Sequence, residues 1–450
     1  MMYLDIIKQY SRQNNIPIYL VGGAVRDILI NREVQDYDFT TSCYIDVSEY
    51  FSKNTNGKLI KLHDDVYRVV VDGMVFDFSN FKGDNIYEDL KNRDFTINAI
   101  AYDIVKEEYV DVLGGMEDIK KKIIRHTSEN IIKDDALRIL RAYRLKGELG
   151  FTIDDETKIL FERDIEYIEV VKGERIADEL FKILKFNNSY DYIQMLDDIG
   201  VIEKIFPIMK EMKRIGKCKY HLVDAYTHST LTLKFLEDRY QELYDTKWGD
   251  KIKEYLYENI GTSKRLEVLK LAAFLHDIGK VKAFKDIDGK ITFKGHDVTG
   301  IDEFNAILKR LPMSNSKAAL IKSVIKGHMR ILGLFKQGPS DKAMYKLIKD
   351  FGVNLPSVLI ASLYDVLATR SLLDENGESD KYFQFVINLM DRYYDYVNKK
   401  DRFISGEDVC SILNIEGPRV GEILERTNEL IFRNKINSRE EAIEFIKRNK

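Results

Sequence analysis

Cysteine, proline and tryptophan are scarce in this 450-residue chain, which contains three, six and one of them. The cysteines, Cys43, Cys218 and Cys410, lie far apart and form no CxxC pair, which excludes a disulfide framework or zinc knuckle built on such pairs. We therefore expect a reducing compartment and predict a cytoplasmic protein. With so few prolines, the domains are expected to adjoin through helices and not through flexible linkers.

Long apolar runs and an excess of basic charge are also missing. No run approaches 18 apolar residues, and the N-terminus has no basic segment followed by an apolar stretch, so we predict no membrane partner. The formal net charge of −4 leaves no overall positive field for a polyanion. Any surface that binds nucleic acid must then come from local clusters of basic residues.

The periodicity of apolar residues changes near residue 115. Short β-rich runs dominate before it, including two separated by Asp72-Gly73, a dipeptide typical of hairpin turns. Nearly all of the chain after it has the pattern of amphipathic helices, among them a compact helical hairpin around Gly417-Pro418. The sequence thus predicts an α/β N-terminal head followed by an all-α remainder.

Two carboxylates of the head are predicted to share one strand face. Side chains alternate along a strand, so Asp36 and Asp38 project together in "QDYDFTT", while Tyr37 and Phe39 point to the core. Paired carboxylates are ligands that Mg²⁺ prefers, and the ion keeps other positions for water and phosphate. The preceding "YLVGGAVRD" predicts a strand that ends in Gly22-Gly23, where the backbone can approach a triphosphate, and then a helix that carries Arg26.

These residues resemble the opening signature of the polymerase-β-like nucleotidyltransferases, specifically the family of class II CCA-adding enzymes and bacterial poly(A) polymerases. That signature is a Gly-Gly-x-x-Arg-Asp turn followed by Asp-x-Asp. The resemblance implies that Asp36 and Asp38 bind two divalent ions such as Mg²⁺, of which one activates an RNA 3′-hydroxyl and the other stabilises the leaving pyrophosphate. Asp77 in "VFDFSNF" is the candidate for a third catalytic carboxylate, and a surface aspartate of the hairpin is the equal alternative.

Further segments match the family in order. "NRDFTINA" resembles its Arg-Arg-Asp-Phe-Thr-x-Asn-Ala segment, which implies nucleotide contacts for Arg93, Asp94 and Asn98, although Asn92 replaces the first arginine. "DDALRILRAYR" resembles the base-reading helix. There Asp135 and Arg138 would lie three residues apart on one helix face and read the base edge, and Arg141 follows them as a nucleotide contact.

Two other features bear on the same activity. "GERIADEL" resembles a family helix in which Glu174 and Arg175 support the base-reading helix. Between Asp38 and Arg93 the chain lacks the longer flexible loop of most CCA-adding members, and so resembles relatives that add only cytidines. The implied reaction is addition of C and A, or of C alone, to the 3′ end of tRNA from CTP and ATP, and a poly(A) polymerase of the same family is the alternative.

The helical half contains a second set of residues that could bind metal. His276 and Asp277 end an apolar helix, with Gly279 as the expected cap, and a histidine-rich order of residues surrounds them. This order resembles the HD metal-dependent phosphohydrolases, which implies a site for Mg²⁺ or a divalent transition metal. Its six candidate ligands are His228, His276, Asp277, His296, His328 and Asp365. A phosphohydrolase with a head that only binds RNA is therefore a rival interpretation.

Local basic clusters at 120–125, at Arg138, Arg141 and Arg144, and at 210–219 could follow a phosphate backbone, although a solvated helix face is the ordinary explanation for each. The resemblance implies that the segment from about Ser405 binds the tRNA elbow. We predict four segments: a nucleotidyltransferase head at 1–125, a neck at 126–190, a body with the HD domain at 191–400, and an RNA-binding tail at 401–450. The oligomeric state stays open.

Overall fold

The computed structural model describes residues 2–63, 65–216, 223–288, 290–370 and 377–448. The chain divides into two compact units. Unit 1 consists of Met1–Glu179 and Met195–Ile205, and unit 2 consists of Leu180–Gln194 and Phe206–Lys450.

A mixed sheet forms the N-terminal part of unit 1. Its strands are β1 (Tyr19–Val21), β2 (Asp36–Thr40), β3 (Lys58–His63), β4 (Val66–Val71), β5 (Met74–Ser79), β6 (Ile100–Asp103) and β7 (Glu108–Asp111). Their spatial order is β3-β4-β5-β2-β1-β6-β7. Strands β2 and β5 pair in parallel, and the other neighbours pair antiparallel.

Helices cover this sheet, and the predicted α/β head is confirmed. They are α1 (Met2–Asn14), α2 (Gly23–Leu29), α3 (Tyr44–Thr55), α4 (Ile86–Lys91) and a 3₁₀ turn at Thr96–Asn98. The core between sheet and helices is aromatic. Phe39 of β2 stacks on Phe78 of β5, and the ring centroids of Phe51 in α3 and Phe76 lie 4.7 Å apart. The predicted hairpin turn is also confirmed, since Asp72 and Gly73 both have positive φ, as a type I′ turn requires.

Short helices follow the sheet along the chain. They are α5 (Gly115–Lys121), α6 (Ile131–Asp134), α7 (Arg138–Leu149), α8 (Asp155–Asp164), a 3₁₀ turn (Ile165–Val170), α9 (Gly173–Leu184), α10 (Ser189–Asp198) and α11 (Val201–Ile205), with the strand pair β8 (Ile123–Ile124) and β9 (Thr152–Ile153).

One prediction about these helices is wrong. Asp135 does not lie on one helix face with Arg138, because the helix is interrupted between them. Asp135 has an extended backbone (φ −159°) and accepts a hydrogen bond from the Leu137 N–H, so its side chain competes with the helical pattern.

Unit 2 is helical apart from two short hairpins. Its elements are α12 (Ile208–Met212), α13 (Ala225–Arg239), a 3₁₀ turn (Tyr240–Asp245), α14 (Gly249–Tyr257), β10 (Asn259–Ile260), β11 (Ser263–Lys264), α15 (Arg265–Leu275), α16 (Lys280–Ala283), β12 (Lys285–Ile287), β13 (Lys290–Thr292), α17 (His296–Arg310), α18 (Asn315–Gln337), α19 (Asp341–Phe351), a 3₁₀ turn (Gly352–Asn354), α20 (Leu355–Arg370), α21 (Glu378–Phe403), α22 (Gly406–Leu413), α23 (Pro418–Phe432) and α24 (Arg439–Arg448).

Helices α15 and α20 form the centre of unit 2. Every residue of α15 is buried, as is most of α20, and α13 and α18 pack against both. The stretch 341–370 is long and apolar enough to cross a membrane, but 83% of its most apolar window is buried in the protein, as in a core helix. The predicted hairpin near the C-terminus is confirmed as α22 and α23, with Gly417 and Pro418 at the start of α23.

Candidate functional site

Three carboxylates of unit 1 line one face of the sheet. Asp36 and Asp38 alternate with Tyr37 and Phe39, which pack on the opposite, aromatic face. Asp77 lies directly beside Asp38, because the parallel register of β2 and β5 pairs the two residues. The structure thus brings all three predicted catalytic carboxylates together.

Asp38 is strongly desolvated. Burial raises the pKa of Asp38 to about 6, with smaller contributions from the negative charges of Asp77 and Asp36 and an opposing one from Arg93. A carboxyl with a raised pKa is one whose charge is not fully compensated by the protein. The donor set of carboxylate oxygens therefore fits a divalent cation such as Mg²⁺, which would supply the missing positive charge.

Asp77 has a partner that the sequence analysis missed. Arg68 of β4 forms a bidentate ion pair with it, with both N–O distances at 2.8 Å. The signal was present in the sequence, since a two-residue turn at Asp72-Gly73 sets the register in which Arg68 lies opposite Asp77. Asp77 is therefore held in place, and its role as a metal ligand stays a prediction.

The glycine pair Gly22-Gly23 lies next to these carboxylates. Gly22 lies between β1 and α2 with φ +73°, a conformation that favours glycine. A Cβ on Gly22 would lie 3.2 Å from Arg93 Nη1 and 3.3 Å from Asp38 Oδ2. No side chain caps the start of α2, so the first N–H groups of that helix face the site without a capping group from the described residues.

Four of the predicted nucleotide contacts form one buried network. Arg26 Nη1 donates to Asn98 Oδ1 at 2.7 Å, Asn98 Nδ2 donates to Asp94 Oδ1 at 2.9 Å, and Arg141 donates two N–H groups to Asp94 Oδ2. Burial alone would raise the pKa of Asp94, but Arg141 and the hydrogen bonds outweigh it and lower the pKa to about 2. The network ties α2, the 3₁₀ turn and α7 together beneath the site.

The residues predicted to read the base lie at a cavity of about 300 Å³. Arg175 of α9 holds Asp135 with two N–O contacts of 2.7 and 3.3 Å, which matches the predicted supporting role for this residue. Arg138 is held by the backbone carbonyls of Ile131 and Asn92. Asp38, Arg93, Arg141 and both glycines also line this cavity, and a second cavity of about 510 Å³ lies on the side of Asp36.

The basic clusters of unit 1 are mostly engaged in ion pairs. Arg141 binds Asp94, Arg144 binds Glu179 and Glu148, and Arg125 binds Asp118 and Asp154. In the Arg138, Arg141 and Arg144 series, the last two side chains are therefore paired with carboxylates, and contact of the series with a phosphate backbone stays a prediction. In the third cluster, residues 217–219 lie outside the described residues.

All six predicted ligands of the helical half converge in unit 2. Asp277 links them, since its Oδ2 lies 3.1 Å from His276 Nε2 and 3.4 Å from His228 Nε2. Its Oδ1 lies 3.3 Å from His296 Nε2 and 3.6 Å from His328 Nε2. Asp365 Oδ1 approaches His228 Nε2 at 2.9 Å and His276 Nε2 at 3.6 Å. The ligands thus form two groups that share one carboxylate.

The histidine nitrogens fit a cation. The Nδ1 atoms of His276, His296 and His328 are bonded to backbone carbonyls, which leaves each Nε2 as an acceptor that faces the cluster. His276 Nε2 is buried and has no hydrogen bond of good geometry among the described residues, although Asp277 Oδ2 lies 3.1 Å away. Burial would lower the pKa of His276, but Asp277 and Asp365 outweigh it and raise the pKa to about 10, so this position attracts positive charge.

Two local details of this cluster were not foreseen. Gly279 is not a left-handed helix cap, because its φ is −68°; a Cβ there would lie 2.0 Å from the His296 carbonyl, so the close approach of α17 requires glycine. Lys280 forms an ion pair of 2.5 Å with Asp277. A cavity of about 670 Å³ opens beside the cluster, with Phe293, Met329 and Arg370 in its walls.

Comparison with known proteins finds matches to three parts of the chain. Family models match as "Poly A polymerase head domain" at residues 18–125, "Probable RNA and SrmB- binding site of polymerase A" at 150–213, and "HD domain" at 226–351.

Relatives match over nearly the full length. An A-adding tRNA nucleotidyltransferase of Deinococcus radiodurans is 27% identical over 95% of this chain and 94% of its own. A CC-adding tRNA nucleotidyltransferase of Thermus thermophilus is 25% identical over 95% and 92%. The solved structure of the Thermotoga maritima CCA-adding enzyme complexed with tRNA-CCA shares the fold, with a TM-score of 0.64 and 22% identity over 99% of this chain and 94% of that one. The chain is therefore similar over nearly its full length to tRNA nucleotidyltransferases, and its helical half matches the HD domain.

Proposed function

We propose that this chain is a tRNA nucleotidyltransferase that adds C and A residues to the 3′ end of tRNA from CTP and ATP. The observation that carries the proposal is the arrangement in unit 1, where Asp36, Asp38 and the Gly22 turn adjoin the cavity lined by Asp135 and Arg138. The names of the full-length relatives support the same activity.

Asp36 and Asp38 would hold the divalent cations, with Asp77 as the third carboxylate. Bound there, such ions lower the pKa of an attacking hydroxyl and neutralise the charge of a leaving pyrophosphate. The positive φ of Gly22 leaves room for the triphosphate beside Arg93. The buried network of Arg26, Asn98, Asp94 and Arg141 would keep the floor of the site rigid while it is loaded, since each member is already hydrogen bonded.

Base selection would rest on Asp135 and Arg138. A carboxylate accepts only, and a guanidinium donates only, so together they pair with a base edge that presents an amino group next to a ring nitrogen. Cytosine and adenine both have this edge, whereas uracil and guanine present a carbonyl toward the carboxylate and are rejected. Arg175 would keep Asp135 in the accepting orientation.

The test is incorporation of labelled CTP and ATP on a sequencing gel, with tRNA transcripts that end before the first C, after C and after CC. Addition of two C residues and one A is the expected result. Ladders of A would replace the proposal with a poly(A) polymerase, and no extension of any transcript would contradict it.

A second candidate, addition of C alone, is favoured by the short connection between β5 and α4. Only residues 80–85 separate Ser79 from Ile86, so the chain has no room there for a long flexible loop. In the same assay this candidate predicts a stop at CC, with no use of ATP on the transcript that ends in CC.

We also propose a metal-dependent phosphohydrolase activity for the HD domain. His228, His276 and Asp365 would hold one divalent cation, His296 and His328 the other, and Asp277 would contribute one oxygen to each. Such ions supply a nucleophilic hydroxide and polarise a phosphate. Metal analysis after dialysis against Mn²⁺ should find fewer equivalents in His296→Ala than in the wild-type chain, because the cation site proposed for unit 1 is the same in both.

A further inference from the structure

Lys82 is a cation at the nucleotidyl-transfer site that no sequence pattern singled out. It lies in the connection between β5 and α4 and lines the 300 Å³ cavity together with Arg93, Arg138 and Asp135. Its ammonium group makes no hydrogen bond or ion pair within the part of the chain that the structure describes. Its charge is thus available to a ligand in that cavity.

The backbone of Lys82 is fixed on both sides, by Asp89 of α4 and by Asn92 at the end of that helix. Its N–H donates to Asp89 Oδ1 at 2.9 Å, and its carbonyl accepts from Asn92 Nδ2 at 3.0 Å. Asp89 is only 1% exposed, so it is a rigid anchor. The short loop therefore presents the Lys82 side chain from a defined place.

Asp89 also positions a second cation. Its other oxygen, Oδ2, accepts from Arg93 Nε at 2.9 Å and forms an ion pair with Arg93 Nη2 at 2.8 Å. A single buried carboxylate thus holds the loop of Lys82 and the guanidinium of Arg93. The two cations are placed as one unit at the edge of the cavity.

Position 92 supplies no charge to this site. The amide of Asn92 donates to the carbonyls of Lys82 and Glu88, so both of its N–H groups are used for structure. In the family pattern an arginine stands at this position, directly before the residue that corresponds to Arg93. Asn92 in this chain instead anchors the loop that brings a lysine to the cavity.

Lys82 shares the cavity with two arginines, Arg93 and Arg138. Burial lowers the pKa of Lys82, the positive charges of Arg93 and Arg138 lower it further, and Asp89 and Asp94 oppose this change. Like charges that share a cavity repel, and a bound polyanion would relieve this repulsion. A nucleoside triphosphate is the anion that the proposed function places there.

We propose that Lys82 binds the triphosphate of the incoming nucleotide and takes the place of the arginine that the family carries at position 92. The assignment rests on the proposed function for the identity of the nucleotide. Asp89 and Asn92 are positioning residues in it, since they act through the Lys82 backbone.

The experiment compares Mg²⁺-dependent binding of CTP and CMP by calorimetry in the full-length wild type, Lys82→Ala and Lys82→Arg. Loss of a charge-assisted contact to the triphosphate should weaken CTP binding by roughly tenfold or more in Lys82→Ala. CMP binding should change by about twofold at most, and arginine should restore most of the CTP affinity. Lys91→Ala is the matched control, because Lys91 lies on α4 and its ammonium pairs with the exposed Glu88.

Unchanged CTP binding in Lys82→Ala would overturn the assignment, and so would an equal loss for CTP and CMP, because the contact would then not be to the triphosphate. The failure of the proposed function gives a different result. A wild-type chain that binds CTP but extends no tRNA would refute tRNA extension, while the binding series would still decide the role of Lys82.

Discussion

At the scale of the residue, Gly22 shows how closely backbone conformation and chemistry are linked in the head. Its φ of +73° puts its α-carbon between Arg93 and Asp38, where a Cβ would crowd both side chains. The family signature identified this glycine, but the neighbours that require it become apparent only in the folded sheet.

We expect Gly22→Ala to reduce nucleotide incorporation by at least about tenfold and to destabilise the chain by about 1–3 kcal/mol, because alanine is strained at positive φ. Gly73→Ala is the control, since Gly73 has φ +77° with open space around it. Rates of nucleotide incorporation measure the loss of activity in both variants, and thermal unfolding measures the loss of stability. Equal loss of activity in the two variants would mean that backbone strain, and not crowding of the site, is responsible.

The lowered pKa of Asp94 predicts that the stability of the fold depends on pH. Its pKa is about 2 in the folded chain against an ordinary value of 3.8, so its ionised form stabilises the fold by about 2 kcal/mol above pH 5. This contribution falls as pH falls from about 5 toward 2, and roughly half of it should remain at pH 3.

Denaturant unfolding of the wild type and Asp94→Asn at pH 6 and pH 3 measures the contribution of the Asp94 charge to the free energy of unfolding. The gap in stability between the two proteins should narrow at the lower pH, because protonation removes the same charge that the substitution removes. A gap of constant size would show that Arg141 does not stabilise the Asp94 carboxylate.

At the scale of the element, a buried ion pair fixes the start of α10 within unit 2. Glu237 of α13 accepts from the N–H groups of Ser189 and Tyr190, and it pairs with Lys270 of α15 at 2.8 Å. Lys270 also donates to the carbonyls of Leu184 and Phe186. The pair therefore satisfies the end of one helix and the beginning of the next.

Glu237→Gln should lower the free energy of unfolding by about 3 kcal/mol, because it leaves the Lys270 ammonium buried without its counter-charge. The double variant Glu237→Gln with Lys270→Met should recover part of this loss. Chemical denaturation of the two variants and of the wild type tests both statements. A double variant less stable than the single one would contradict the charge argument.

The interruption between α6 and α7 carries a prediction about fidelity. Asp135 lies in that interruption and depends on Arg175 for its orientation. Arg175→Ala should lower the preference for CTP over UTP by about tenfold, roughly the value of one charge-assisted contact. Arg163→Ala serves as the control, because Arg163 pairs with Asp164 and Glu129. An unchanged preference in Arg175→Ala would exclude this supporting role.

At the scale of the whole molecule, the two sets of ligands belong to two separate units. Asp38→Ala should reduce nucleotide incorporation by about 1,000-fold, since it removes a proposed metal ligand, and should leave metal-dependent phosphatase activity intact. His276→Ala should do the reverse. Both activities are measured on the same preparations, with circular dichroism as the control for folding. Loss of incorporation in a folded His276→Ala variant would contradict two independent sites.

The sequence by itself determined the class of each half and most of the chemistry. Alternation placed Asp36 and Asp38 on one strand face, and an Asp-Gly turn placed a hairpin, because both depend on local backbone geometry. The order of His228, His276, Asp277 and Asp365 indicated a metal site before any distance was available. The family resemblance supplied the reaction.

Tertiary structure alone decided which side chains compensate one another. Asp135 left the helix because its own carboxylate bonds to the Leu137 N–H and Arg175 holds it from α9. Arg141 and Arg144 became internal ion pairs, and Lys82 entered the cavity because Asp89 and Asn92 hold its backbone. Apart from the Asp135–Leu137 bond, these contacts join residues from 7 to 47 positions apart. Their energies depend on burial and on approach distance, which local sequence patterns do not specify.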